Sequence, residues 1–130
     1  DPACDLARSH GCVVAVSGPV DLVTDGESVI HVQGGSALLT RMTGGGCALG
    51  AVVAAFLGAG RKEGLDDVSA VVAAHAVYSA AAERAEARST GPGSFPPAFL
   101  DALYALEVQD LQNVSVSATS ATAAAQGGPA

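Results

Sequence analysis

A layered α/β fold, a short sheet with helices packed on it, is the architecture that three features of this chain predict. Short runs rich in β-branched and apolar residues, Cys12 to Val16, Asp21 to Thr24 and Ser28 to Val32, come first along the chain. Longer segments with apolar residues at helical spacing follow, and no internal repeat interrupts the order. A length of 130 residues accommodates one domain with a core and is too short for two independent ones.

Taken in order, Ala3 to His10 is helix-like, and with Asp1-Pro2 ahead of it the chain is expected to be a piece of something longer. Cys12-Val13-Val14-Ala15-Val16 is a continuous apolar run, the pattern of a strand buried on both faces, and Ser17-Gly18-Pro19 ends it. Asp25-Gly26-Glu27 separates the next two runs. Asp-Gly is a strong hairpin signal, so they are expected to form an antiparallel edge on the sheet. Gln33 to Ser36 is a turn, and Ala37 to Met42 leads into Thr43-Gly44-Gly45-Gly46-Cys47. From Cys47 to Leu57 the chain is apolar on every side, which describes a buried helix that Gly58 and Gly60 are expected to stop. Asp66-Asp67 cap a second helix with Val68, Val71, Val72 and His75 on one face and a solvated far end at Glu83, Arg84, Glu86 and Arg88. A third begins near Pro96-Pro97, with Phe99, Leu100, Leu103 and Leu106 toward the core. The domain proper is placed at 1–112, and 113–130, rich in Ala, Ser and Thr, is expected to be a disordered tail.

Composition removes several classes of function. A net charge of −7 with six Lys and Arg residues offers no basic patch for nucleic acid or for an anionic membrane surface. No apolar stretch reaches the ~20 residues that span a bilayer, and no leader pattern opens the chain, so a soluble, cytoplasmic protein is expected. Three cysteines without a C-x-x-C pair point to free thiols in a reducing compartment rather than to zinc.

The glycine cluster is the most informative stretch. Glycines at the start of a helix leave unpaired N–H groups free of Cβ atoms and able to point at an anion. Cys47 would then sit in the first turn, where the positive end of the helix dipole gives a thiol a physical route to reactivity. The bland readings stand beside these: a tight turn for the glycines, a small buried hydrophobe for the cysteine. Neither a P-loop nor a dinucleotide fingerprint is present, since no Gly-Lys-Ser/Thr follows and Leu49 occupies the place of a third glycine. Ser17-Gly18 is either a plain strand terminus or part of a ligand site at the carboxyl end of a strand. Asp21 and Asp25 read as turn caps, and His10, His31 and His75 as non-ligands.

Four segments in order, Val14 to Asp21, Leu38 to Cys47, Gly91 to Phe95 and Leu100 to Tyr104, resemble the C-terminal half of the hydroxyethylthiazole kinases, members of the ribokinase-like superfamily. The resemblance implies the C-terminal part of a ribokinase-like layered fold. It also implies ATP- and Mg²⁺-dependent phosphorylation of the hydroxyl of 4-methyl-5-(2-hydroxyethyl)thiazole, by a protein that works as a homotrimer. Cys47 matches the family's catalytic cysteine, and Gly44 a thiazole-contacting glycine. Ser17, often Thr in the family, matches a position that contacts the nucleotide phosphates. Gly45 and Gly46 fall in its anion hole, and metal ligands are not assigned. Gly45 is a departure, since the family more often has Thr or Ala there. In this reading N–H groups of Gly45, Gly46 and Cys47 face the transferring phosphoryl group, and positioning outweighs base catalysis by the thiol. The family's N-terminal half, with much of the thiazole pocket and a nucleotide-contacting Arg, has no counterpart in these residues. The alternatives are a non-catalytic remnant or subunit that needs a separate N-terminal half, and a ribokinase-like kinase of another small alcohol.

Overall fold

A computed structural model describes residues 1–124. Four strands, β1 (Val14–Val16), β2 (Val20–Thr24), β3 (Ser28–Gln33) and β4 (Ser115–Ser120), form one sheet in the order β1-β2-β3-β4. Every pairing is antiparallel, with Leu22 opposite His31 and Val32 opposite Val116. Gly26 takes a left-handed φ of 96° in the turn between β2 and β3, and Asp25 Oδ1 accepts the N–H groups of Glu27 and Ser28. The hairpin is therefore built as the Asp-Gly signal predicts, but it forms the middle of this sheet rather than its edge.

Side chains alternate across the strands, so Asp21 and Val23 share one face with Ile30 and Val32, while Thr24 and Val29 share the other. Helix α1 (Pro2–His10) covers the second face, with Cys4 Sγ 3.5 Å from Thr24 Oγ1 and Arg8 donating to the Gly26 carbonyl at 2.7 Å. Helix α3 (Asp67–Glu86) lies against β2 and β3, and α2 (Gly45–Lys62) and α4 (Phe95–Tyr104) flank it. The core runs along α3: Tyr78, Ala81, Ala82 and Ala85 meet Phe95, Phe99 and Ala102, with Tyr78 edge-on to Phe99 at 4.8 Å between ring centroids.

The buried helix is α3, not α2. Along α2 only Gly45 and Gly60 are buried, whereas α3 hides alanines on nearly every side, because a small side chain lets neighbours approach from all directions. Gly58 and Gly60 do not stop α2. Gly60 is used for close approach, since a Cβ there would lie 3.1 Å from Ala70 Cβ. The helix ends at Lys62 and is closed by Gly64, whose φ is 78°, with Leu65 N–H bonded to the Gly60 carbonyl and Gly64 N–H to that of Arg61, the Schellman pattern.

Four further expectations are corrected. Strand β1 is not buried on both faces: Ala15 and Val16 point to opposite faces and both are exposed, and β2 is its one partner among the described residues. At the far end of α3 two charges are engaged: Glu83 accepts from Gly35 N–H at 3.0 Å, and Arg84 donates to Asp110 at 2.8 Å. On α4 and just beyond it, Phe99, Leu103 and Leu106 pack on the core as expected, joined by Phe95 and Ala102, but Leu100 is turned to solvent. In the stretch expected to be disordered, Ser115–Ser120 pairs along β3, whose free backbone edge is a template for any extended segment within reach. A short turn of helix, Ala121–Ala124, follows, and the rest of that expectation, 125–130, lies outside the described residues.

Candidate functional site

A cavity of about 560 Å³ opens between the carboxyl end of β1, the Gly34-Gly35 turn and the start of α2. Ser17, Gly18, Asp21, Gly45, Gly46 and Tyr78 are among its lining residues. A smaller one of about 220 Å³ lies beside it and shares Ser17, Gly46 and Leu49, with His75 on its wall.

Local sequence explains the mouth of α2. Gly44 is the N-cap in a left-handed conformation, φ 84°, which side-chain-bearing residues rarely adopt. A Cβ on Gly46 would meet nothing within 4 Å, so the approach to the helix end is open. Gly45 N–H reaches back to the Met42 carbonyl at 3.4 Å, and Ala48 N–H to that of Gly44 at 2.9 Å. The N–H groups of Gly46 and Cys47 have no acceptor among the described residues. The anion cradle expected from three N–H groups thus has two free, with Gly45 turned in part to its own loop. Such donors, together with the helix dipole, favour a bound anion.

Of the residues singled out in the sequence, Ser17, Gly45 and Gly46 line the same cavity. Gly44 sits at its margin as the cap, and Cys47, in the first turn of α2, is exposed and lines neither cavity. The other two cysteines are also free, Cys4 buried and Cys12 exposed.

Sequence reasoning passed over the residues of α3 that build the opposite wall. Asp21, read as a turn cap, does accept Gly18 N–H at 2.9 Å, but its second oxygen meets His75 Nδ1 at 2.8 Å. His75 is 2% exposed. Tyr78 donates its hydroxyl to the Gly45 carbonyl, and burial raises its phenol above the ordinary value, which keeps it a neutral donor. Ser79 packs under Gly35, and Glu83 holds Gly35 N–H. His75, Ser79 and Glu83 follow one another at i, i+4 and i+8 with Tyr78 alongside, so a stripe of α3 about 12 Å long anchors three loops. The available signal was polar residues at helical spacing in an otherwise alanine-rich helix.

Comparison with known proteins bears on this geometry. The model of the hydroxyethylthiazole kinase family matches residues 2–109. A hydroxyethylthiazole kinase of Tolumonas auensis is 54% identical over 102 residues, 78% of this chain and 38% of that protein. One from Serratia proteamaculans is 53% identical over 110 residues, 85% of this chain and 40% of that protein. Among solved structures, a hydroxyethylthiazole kinase protein from Pyrococcus horikoshii OT3 superposes with a TM-score of 0.82 at 31% identity, over 90% of this chain and 44% of that one. The chain spans about two-fifths of the length of the curated relatives it matches.

Proposed function

Since the chain belongs to the hydroxyethylthiazole kinase family, we propose that it carries the phosphate-binding part of a kinase that phosphorylates 4-methyl-5-(2-hydroxyethyl)thiazole for thiamine biosynthesis or salvage. The observation that supports this reading most is the convergence of Ser17, Gly45 and Gly46 on one cavity at the N-terminus of α2. In the proposed reaction the alcohol oxygen attacks the γ-phosphorus of ATP, the bond to the β-phosphate oxygen breaks, and the alcohol proton leaves. Phosphoryl transfer asks the protein chiefly for positioning and charge stabilisation. Gly46 and Cys47 N–H groups take up charge on the phosphoryl oxygens, Ser17 contacts the nucleotide phosphates, and Gly44 borders the thiazole. Cys47, on the open side of the same helix turn, orients the alcohol.

The donor set fits ATP better than it fits a protein-held metal. Among the described residues no group of three His, Cys, Asp or Glu stands together, and the carboxylate that lines the larger cavity, Asp21, has both oxygens engaged. Mg²⁺ commonly rides on substrate phosphates and waters with one or two carboxylates, and no step here is assigned to it. The same reading carries a homotrimer and a cytoplasmic location. No helix among the described residues is long and apolar enough to cross a membrane.

The test is thiazole-dependent release of ADP from ATP, measured for the parent protein and for Cys47→Ala. The expected result is parental turnover that the substitution lowers by about 10²-fold, the scale of a lost positioning group. Parental turnover in Cys47→Ala overturns the role of the thiol, and thiazole-independent ADP release overturns the substrate.

A further inference from the structure

An imidazole buried among alanines needs partners for its polar atoms. Asp21 supplies one: its carboxylate only accepts, so His75 Nδ1 carries the proton and donates across 2.8 Å. The other carboxylate oxygen takes Gly18 N–H at 2.9 Å, and a bridge of two hydrogen bonds therefore runs from the buried helix to the backbone of the turn that bears Ser17. Beyond the strand pairs that flank that turn, Val16 with Leu22 and Val20 with Gln33, the bond from Gly18 to Asp21 is the one side-chain hydrogen bond on it among the described residues. Ser17, Gly18 and Pro19 are all exposed, and β1, from which they emerge, pairs on one side. Across the cavity Tyr78, one helical turn along from His75, ties down the carbonyl of Gly45.

Resting on the kinase reading above, the geometry points to His75 as a positioning residue that acts through Asp21. It holds the Ser17-Gly18 turn opposite the Gly45-Gly46 mouth of α2, so that both walls meeting the nucleotide phosphates are set by one helix. Its Nδ1 is committed to Asp21, which is why the role assigned to it is positioning.

Amide hydrogen exchange at Gly18, followed by NMR on the labelled protein, and calorimetric binding of a non-hydrolysable ATP analogue test this together. Amides in the middle of α3 report global opening and serve as the reference. In His75→Ala, exchange at Gly18 rises about tenfold relative to that reference and analogue affinity falls by a similar factor, the scale of one charge-assisted hydrogen bond. His75→Asn, which keeps a donor near Nδ1, recovers most of both. If His75→Ala fails to fold, His75→Leu, which fills the space without a donor, cuts the bridge at the same point and leaves the Asp21 to Gly18 bond in place. Unchanged Gly18 exchange in the variant that cuts the bridge overturns the proposal, as does faster exchange with undiminished affinity, or a His75→Asn as impaired as His75→Ala. A parent protein that does not bind the analogue overturns the kinase reading itself. A parent that binds while Gly18 ignores His75 overturns the bridge alone.

Discussion

Gly58 and Gly60 stand two residues apart inside α2, neither with a positive φ, and the structure predicts that replacing each by alanine has a different outcome. Alanine in a helix interior is favoured over glycine by about 1 kcal/mol, a gain both sites share. A Cβ at position 58 meets nothing within 4 Å, whereas one at position 60 lies 3.1 Å from Ala70 Cβ and 3.5 Å from Leu65 Cβ. Ala70 is 1% exposed, and its methyl group is fixed to the backbone with no rotamer into which to retreat. Relief must come from moving α2 away from α3, an overpacking cost of about 1–3 kcal/mol. Gly58→Ala is therefore expected to stabilise by about 1 kcal/mol, and Gly60→Ala to fall between neutral and a loss of about 2 kcal/mol. The propensity term cancels in the comparison, which leaves the two variants about 1–3 kcal/mol apart. Urea unfolding monitored by far-UV circular dichroism measures this difference, and melting should separate the two by roughly 4 °C per kcal/mol. Equal midpoints for the two variants would refute the close approach of α2 and α3 at Gly60.

Phe99→Ala removes a fully buried ring stacked on Phe95 and edge-on to Tyr78, and should cost about 3–5 kcal/mol in the same unfolding experiment. Tyr78→Phe keeps that packing but leaves the Gly45 carbonyl without its hydroxyl donor; a loss of about 1 kcal/mol is expected, with weaker nucleotide binding measured by calorimetry. Asp25 is held below its ordinary carboxylate range, first by the Ser28 N–H against the opposing effect of burial, with help from Glu27 N–H and the Ser28 hydroxyl. A lowered folded-state value means that its contribution is present above the unfolded value of about 4 and fades as pH falls through the folded one. Amide protection at Glu27 and Ser28, taken relative to intrinsic exchange at each pH, should accordingly fall in acid, and Asp25→Asn should flatten that pH dependence.

Local chemistry was legible in the sequence wherever a single residue dictates it. Asp25-Gly26 announced the hairpin, Asp66 the cap of α3, and Gly44 to Gly46 an open helix end, because each acts within a few bonds of itself. Burial was not legible, since it depends on what stands opposite. The apolar surroundings of Cys47 to Leu57 suggested an interior helix, yet the interior went to α3, where alanine rather than leucine allows a sheet on one side and two helices on the others. Strand β4 escaped notice because Ser115, Ser117 and Thr119 alternate with only Val116 and Ala118, too weak a period to stand out, and the free edge of β3 supplies what the segment lacks. At the cavity, Ser17, Gly45 and Gly46 were found by motif, while His75, Tyr78 and Glu83 act through partners 54, 33 and 48 residues away. No spacing rule reaches that far.

The contrast between the two sides of the cavity carries a physical consequence. Ser17, Gly46 and Cys47 are exposed, and Gly44 to Gly46 add no side-chain packing of their own, so the wall that meets an anion has little intrinsic stiffness. Catalysis by preorganised donors requires such a wall to be stiff before the ligand arrives. Stiffness is obtained here from the other side, where α3 is fixed by the sheet and by α4 and extends one polar group to each loop: His75 through Asp21 to Gly18, Tyr78 to Gly45, and Glu83 to Gly35. A cavity built this way can keep its ligand-facing surface small and open, because part of what holds its shape, His75 and Glu83, lies outside the lining of the larger cavity. It also follows that loosening α3 disturbs all three loops at once, while cutting one polar link disturbs one, and amide exchange at Gly18, Gly35 and Gly46 separates the two cases.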